Sequence, residues 1–100
     1  MGEAYEFKVT RAGRNGMSYV LSSQGVSRAS RYRSRIVPWE RIRTLWTLKN
    51  SFILFYSDTG YWILPEDQIP AAARAFLLSK VQEVGIRTKS LVTSGMWGAN

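Results

Sequence analysis

Six arginines fall between positions 28 and 43: Arg28, Arg31, Arg33, Arg35, Arg41 and Arg43, with Glu40 the one acid among them. A guanidinium is planar, permanently charged and carries a fork of donors that matches phosphate or carboxylate, so the chemistry on offer is anion recognition. Three readings stand. The plainest is a solvated strand face whose charges keep a sheet edge from aggregating. The second is docking on phospholipid headgroups, where each basic residue near an anionic leaflet contributes ~1 kcal/mol. The third is contact with nucleic-acid phosphates, with Tyr32 or Trp39 as stacking surfaces. The membrane reading stands ahead of nucleic acid because no familiar recognition-helix or stacking-sheet signature is present.

Other chemistry finds no constellation. The chain has no histidine, which removes the usual acid–base agent near neutral pH. It has no cysteine either, which excludes disulfides and thiolate metal sites and fits a cytosol-facing domain. Ser22-Ser23 lack a base to activate them. Glu66-Asp67 beside a helix start serve the helix dipole more readily than a metal. Gly13, Gly16 and Gly25 are isolated turn glycines, not a phosphate-cradling loop. The reading is therefore a binding module and not an enzyme, without cofactor or metal.

The elements that must carry the arginines are mostly strands. Tyr5–Thr10 alternates apolar and polar residues, the mark of a strand with one buried face. Gly13 and Asn15-Gly16 then reverse the chain. Met17–Ser22 is a second strand with Met17, Tyr19 and Leu21 on one face, and Val26–Ser30 a third. In Arg31–Val37 the alternation sets Arg31, Arg33 and Arg35 on one face and Tyr32, Ser34 and Ile36 on the other. Pro38 ends that strand, and Trp39-Glu40-Arg41 turns a corner that Trp39 plugs. Ile42–Lys49 puts Ile42, Thr44, Trp46 and Leu48 together, and turns at Asn50-Ser51 and Asp58-Thr59-Gly60 join Phe52–Ser57 to Tyr61–Leu64. Trp46 and Trp62 read as core residues. Yet the last strands are apolar on both faces, so either both are covered or one is a contact or self-association surface.

Pro65 stops the sheet and a helix follows from about Pro70 to Val84, with Pro70 at its start and Gly85 at its stop. Ile69, Ala73, Phe76, Leu77, Val81 and Val84 form its apolar stripe. The reading gives residues 1–86 as the domain and 87–100, with Met96 and Trp97, as a tail. Strands followed by one helix define a mainly β, α+β domain: a curved antiparallel sheet or barrel of about seven strands capped by a C-terminal amphipathic helix. One hundred residues suit one such domain. Fourteen Lys and Arg against seven Asp and Glu leave a net charge of +7, a field that attracts polyanions. The densest apolar runs, Phe52–Tyr56 and Ala71–Leu78, fall short of the ~18–20 residues of a spanning helix. The start, Met1-Gly2-Glu3-Ala4-Tyr5, has no secretion-signal character.

Leu21-Ser22-Ser23-Gln24-Gly25-Val26, the Trp39-x-x-Ile42 corner within Val37–Ile42, Phe52–Tyr56, Ile63-Leu64-Pro65 and Phe76-Leu77 together resemble the C-terminal domain of YcxB-like bacterial proteins, over about Tyr5 to Val84. The resemblance implies a pleckstrin-homology-like fold placed after two transmembrane helices, at the cytoplasmic face of a bacterial inner membrane. It assigns no biochemical role. This sequence lacks those helices, which reads as an excised soluble domain behind an added Met1-Gly2 or as a relative without them. The expected partners are an anionic membrane surface or a protein, and no small-molecule substrate.

Overall fold

The computed structural model describes residues 3–10 and 16–91. The turn read around Gly13 and the tail residues Met96 and Trp97 lie outside them. Strands β1 (Ala4–Val9), β2 (Met17–Ser22), β3 (Gly25–Ala29) and β4 (Ser34–Pro38) form a four-stranded antiparallel meander. A 3-10 turn, Trp39–Arg41, leads into β5 (Thr44–Thr47), β6 (Ser51–Phe55) and β7 (Tyr61–Pro65). After a second 3-10 turn, Glu66–Gln68, helix α1 runs from Ala71 to Val84, and β8 (Arg87–Ser90) completes a second sheet of order β7-β6-β5-β8.

The expectation of about seven strands in one curled sheet or barrel is corrected here. Eight strands among the described residues form two sheets that hydrogen bonds do not close into a barrel. The added strand is Arg87–Ser90, within the segment read as tail, and it pairs parallel with β5. All four of its residues are exposed, so it has no apolar period to read, and its backbone alone holds the ladder.

The core is continuous between the sheets. Phe7, Val9, Tyr19, Leu21, Val26 and Val37 come from the first, and Leu45, Phe52, Leu54, Trp62 and Leu64 from the second. Trp39 is buried, as expected of a corner plug, and its Nε1–H donates to the Ser22 carbonyl at 2.7 Å. Ile69, Ala73, Leu77 and Val81 of the helical stripe are buried, whereas Val84 is exposed at its end. Phe76 meets Tyr5 at 5.1 Å and Trp39 at 6.4 Å between ring centroids, so the helix seals the end of the core formed by β1, β2 and the Trp39 corner.

Two glycines are dictated by geometry. At Gly25, with φ of 153°, a Cβ would stand 2.2 Å from the Val37 carbonyl oxygen of the paired strand. Gly85 ends the helix in the left-handed region (φ 83°), where its N–H reaches the Val81 carbonyl at 3.1 Å. One corner of the molecule is clamped by a side chain. The Gln68 amide accepts from the Thr10 N–H at 2.7 Å and donates to the Thr10 carbonyl at 3.2 Å, as a neighbouring strand would.

Two strand phases differ from expectation. β5 starts at Thr44, and the extended residue Ile42 closes the 3-10 turn before it, so Ile42 and Leu45 are buried while Thr44 and Trp46 take the outer face. The corner shifts the register that simple alternation carries through it. The first three arginines of the expected Arg31–Val37 strand also separate: Arg31 and Arg33 lie in the β3–β4 loop and only Arg35 is on β4.

Candidate anion-binding site

Cross-strand register sets the site. Tyr19, Arg28 and Arg35 are directly opposed across β2, β3 and β4, as are Leu21, Val26 and Val37 one step along. Directly opposed residues share a sheet face, and so do positions two apart on one strand. Arg28 and Arg35 therefore occupy the core-facing side, next to the buried row of Leu21, Val26 and Val37. Ile36, of opposite parity to Arg35 and opposed to Ser27, points outward and is 45% exposed. On β4 Arg35 shares the side of Val37 but is itself exposed, so its guanidinium stands at the rim of the core and lines an open pocket.

These two arginines, Arg28 half-buried and Arg35 exposed, meet aromatic rings of the second sheet. The Arg28 guanidinium lies 5.4 Å from the Trp62 ring centroid, and that of Arg35 lies 4.5 Å from Tyr56. Tyr56 and Trp62 touch each other, with centroids 5.2 Å apart, across the turn that links β6 to β7. Arg33 reaches the same space from the β3–β4 loop, which is tied by Ser30 N–H to the Arg33 carbonyl at 2.7 Å. Together with Met17, Ser30 and Ser34 these residues enclose an open pocket of about 260 Å³.

Its electrostatics are one-sided. Arg28 and Arg35 are like charges in direct cross-strand opposition, an arrangement that destabilises a sheet by tenths of a kcal/mol up to ~1 kcal/mol. Stacking on electron-rich ring faces offsets part of this. Among the described residues no carboxylate lies within ion-pairing distance of Arg28, Arg33 or Arg35. Three guanidinium groups, two serine hydroxyls and the rings of Tyr56 and Trp62 around one space can take a phosphate-sized anion and pack its apolar appendage.

The other sequence-selected arginines go elsewhere. Arg41 lines a second cleft of about 280 Å³ with Arg35, Ile36 and Tyr56. Arg31 borders a separate cleft with Lys8, Gly16 and Ser18. Arg43 pairs with Asp58, an exposed contact that contributes little. So the structure gathers Arg28, Arg33 and Arg35, sets Arg41 beside them, and sends Arg31 and Arg43 to other faces. Sequence reasoning missed Tyr56, Trp62, Met17, Ser30 and Ser34. The readable signal was the Tyr56–Gly60 turn, which sets an aromatic residue at each end of one hairpin.

The remaining candidates have structural occupations. Ser22 Oγ accepts the Gln24 N–H at 3.2 Å within the β2–β3 turn. Glu66 accepts from Arg74 Nη1 at 2.9 Å, and its own N–H donates to the Asn50 carbonyl. Among the described residues no group of three or more acids assembles a metal site, and no helix is long and apolar enough to cross a membrane. A comparison with protein-family models and one with curated proteins found no match to this chain.

Proposed function

We propose that this chain is a non-enzymatic binding module that takes phosphate-bearing anions into the Arg28–Arg33–Arg35 pocket, the natural source being anionic lipid headgroups at the cytoplasmic face of a bacterial inner membrane. One observation carries the reading: two arginines directly opposed across a strand pair, at the rim of the core, over the rings of Trp62 and Tyr56 and, among the described residues, without an acid to neutralise them. Local rules of stability are broken in this way where a site needs the charge.

The resemblance to YcxB-like domains supports the same placement. A meander, a second sheet and a helix sealing one end of the core are compatible with a pleckstrin-homology-like arrangement, although β8 and the open sheets are not part of the expected seven-strand pattern. A nucleic-acid partner needs its arginines along one continuous track. Here they divide among three faces, which favours a compact anion over a polymer backbone.

Co-sedimentation with phosphatidylcholine vesicles containing phosphatidylglycerol tests the reading at low salt. Arg28→Gln with Arg35→Gln lowers the bound fraction at least tenfold, since hydrogen bonds to charged groups contribute about 1.5–3 kcal/mol each. Absence of binding by the parent chain, both to these vesicles and to soluble glycerol phosphate, ends it.

A further inference from the structure

The second sheet is apolar on both sides. Its inner side carries Leu45, Phe52, Leu54, Trp62 and Leu64, all buried. Its outer side carries Trp46, Ile53 and Ile63 in one directly opposed row, and Thr44, Phe55 and Tyr61 in the next. The rings are in contact, with Trp46 to Phe55 at 4.8 Å and Phe55 to Tyr61 at 5.7 Å. Helix α1 packs chiefly on the Trp39 turn and on β1 and β2. Tyr61 is 51% and Ile63 38% exposed. This is a contiguous patch, which differs in meaning from single apolar residues scattered over a surface.

β8 supplies the flank. Arg87 opposes Thr44 and Lys89 opposes Trp46, so both share the outer face, and Lys89 Nζ stands 5.6 Å from the Trp46 ring centroid. We infer that this outer face is a membrane-contact surface, seated in the interfacial layer of an anionic leaflet. Amphipathic Trp and Tyr rings favour the boundary between headgroups and acyl chains. Lys89 lays its stem along the apolar patch at Trp46 and presents a cation at headgroup depth, and Arg87 adds a second charge on the same side of β8. A second copy of the chain would set Arg87 and Lys89 against their mates in a molecule already at +7, whereas a leaflet brings the opposite charge.

The face and the pocket share the β6–β7 hairpin, with Trp62 on its inner side and Phe55, Tyr61 and Ile63 on its outer side. Phe55 and Tyr61 flank the turn from Tyr56 to Gly60, and Tyr56 carries the ring on which Arg35 stacks. The row of Trp46, Ile53 and Ile63 lies two residues further in, ~7 Å along the strands. The inference rests on the proposed function in one respect only, that the leaflet is the source of the phosphate.

The test uses the absence of native cysteine. In the full chain Ile63→Cys carries the sole thiol, labelled with an environment-sensitive fluorophore, and Ser23→Cys in the exposed β2–β3 turn serves as control. On phosphatidylcholine vesicles containing phosphatidylglycerol, the label at 63 shifts to shorter wavelength and is quenched by brominated lipid, while the label at 23 keeps its aqueous emission. Tyr61→Ser with Ile63→Ser lowers vesicle partition about tenfold, and binding of soluble glycerol phosphate is unchanged. The inference is overturned if the label at 63 stays aqueous on bound vesicles, or if the double serine variant partitions like the parent. It also falls if the label responds to an acidic amphipathic peptide and not to vesicles, which would reassign the face to a protein. Failure of the pocket reading looks different: Arg28→Gln with Arg35→Gln would then bind glycerol phosphate and vesicles as the parent does.

Discussion

At the scale of single residues, the informative positions are those where side-chain chemistry and sheet face disagree. Arg28 and Arg35 weaken the sheet by mutual repulsion, so neutralising one should leave stability unchanged or slightly higher. Arg35→Gln is expected within ~0.5 kcal/mol of the parent by urea unfolding, or more stable, while its affinity for glycerol phosphate drops about tenfold. A variant that loses both stability and binding would make Arg35 a structural residue. Trp39 works the other way. Its indole N–H satisfies the Ser22 carbonyl across the corner, so Trp39→Phe leaves that acceptor short of a donor as well as trimming the core. A loss of about 1–3 kcal/mol in urea unfolding is the expected outcome, with vesicle binding per folded molecule preserved.

At the scale of elements, the joints depend on backbone geometry and one amide. Gly25→Ala drives a methyl group into the Val37 carbonyl of the adjacent strand. β3 and β4 must then separate, and the variant is expected to lose several kcal/mol or fail to fold, seen as lost near-ultraviolet circular dichroism. Gly85→Ala meets no neighbour within 4 Å and suffers only the left-handed backbone, so about 1 kcal/mol is expected. The pair separates steric exclusion from conformational preference. Gln68→Ala opens the clamp between the end of β1 and the 3-10 turn after β7. The expected cost is about 1–2 kcal/mol, and hydrogen exchange should quicken first at the Thr10 amide.

At the scale of the whole molecule, the net charge of +7 is spread over several faces and the pocket concentrates part of it. Arginine stays protonated throughout the working range and no histidine is present, so the protein side of the interaction has no titration near neutrality. Vesicle binding should be nearly flat from about pH 6 to pH 9 and fall steeply as salt screens the exposed charges. A bell-shaped or sigmoidal profile in that range, measured with phosphatidylglycerol whose charge is constant there, would contradict this.

Much of the scaffold was legible in residue order. Alternation in Tyr5–Val9 and Met17–Leu21, the turn residues at Gly25 and Asp58–Gly60, and the Pro70-to-Gly85 bracket of the helix are local signals, and each element stands where its own residues place it. Two features were not local. β8 has only polar side chains and exists because β5 offers a free backbone edge, so no pattern within Arg87–Ser90 announces it. The arginine row looked like one strand face because alternation was carried through a loop. A loop restarts the phase, and that left Arg35 on the pocket side of β4 with Ile36 on the other. Sequence alone determined the inventory: a basic, cysteine-free, histidine-free chain of short strands and one helix, rich in guanidinium groups. Tertiary structure decided which guanidinium groups meet, because register across β3 and β4 and the approach of Tyr56 and Trp62 depend on how two sheets pack, and sheet packing is a relation between residues far apart in the chain.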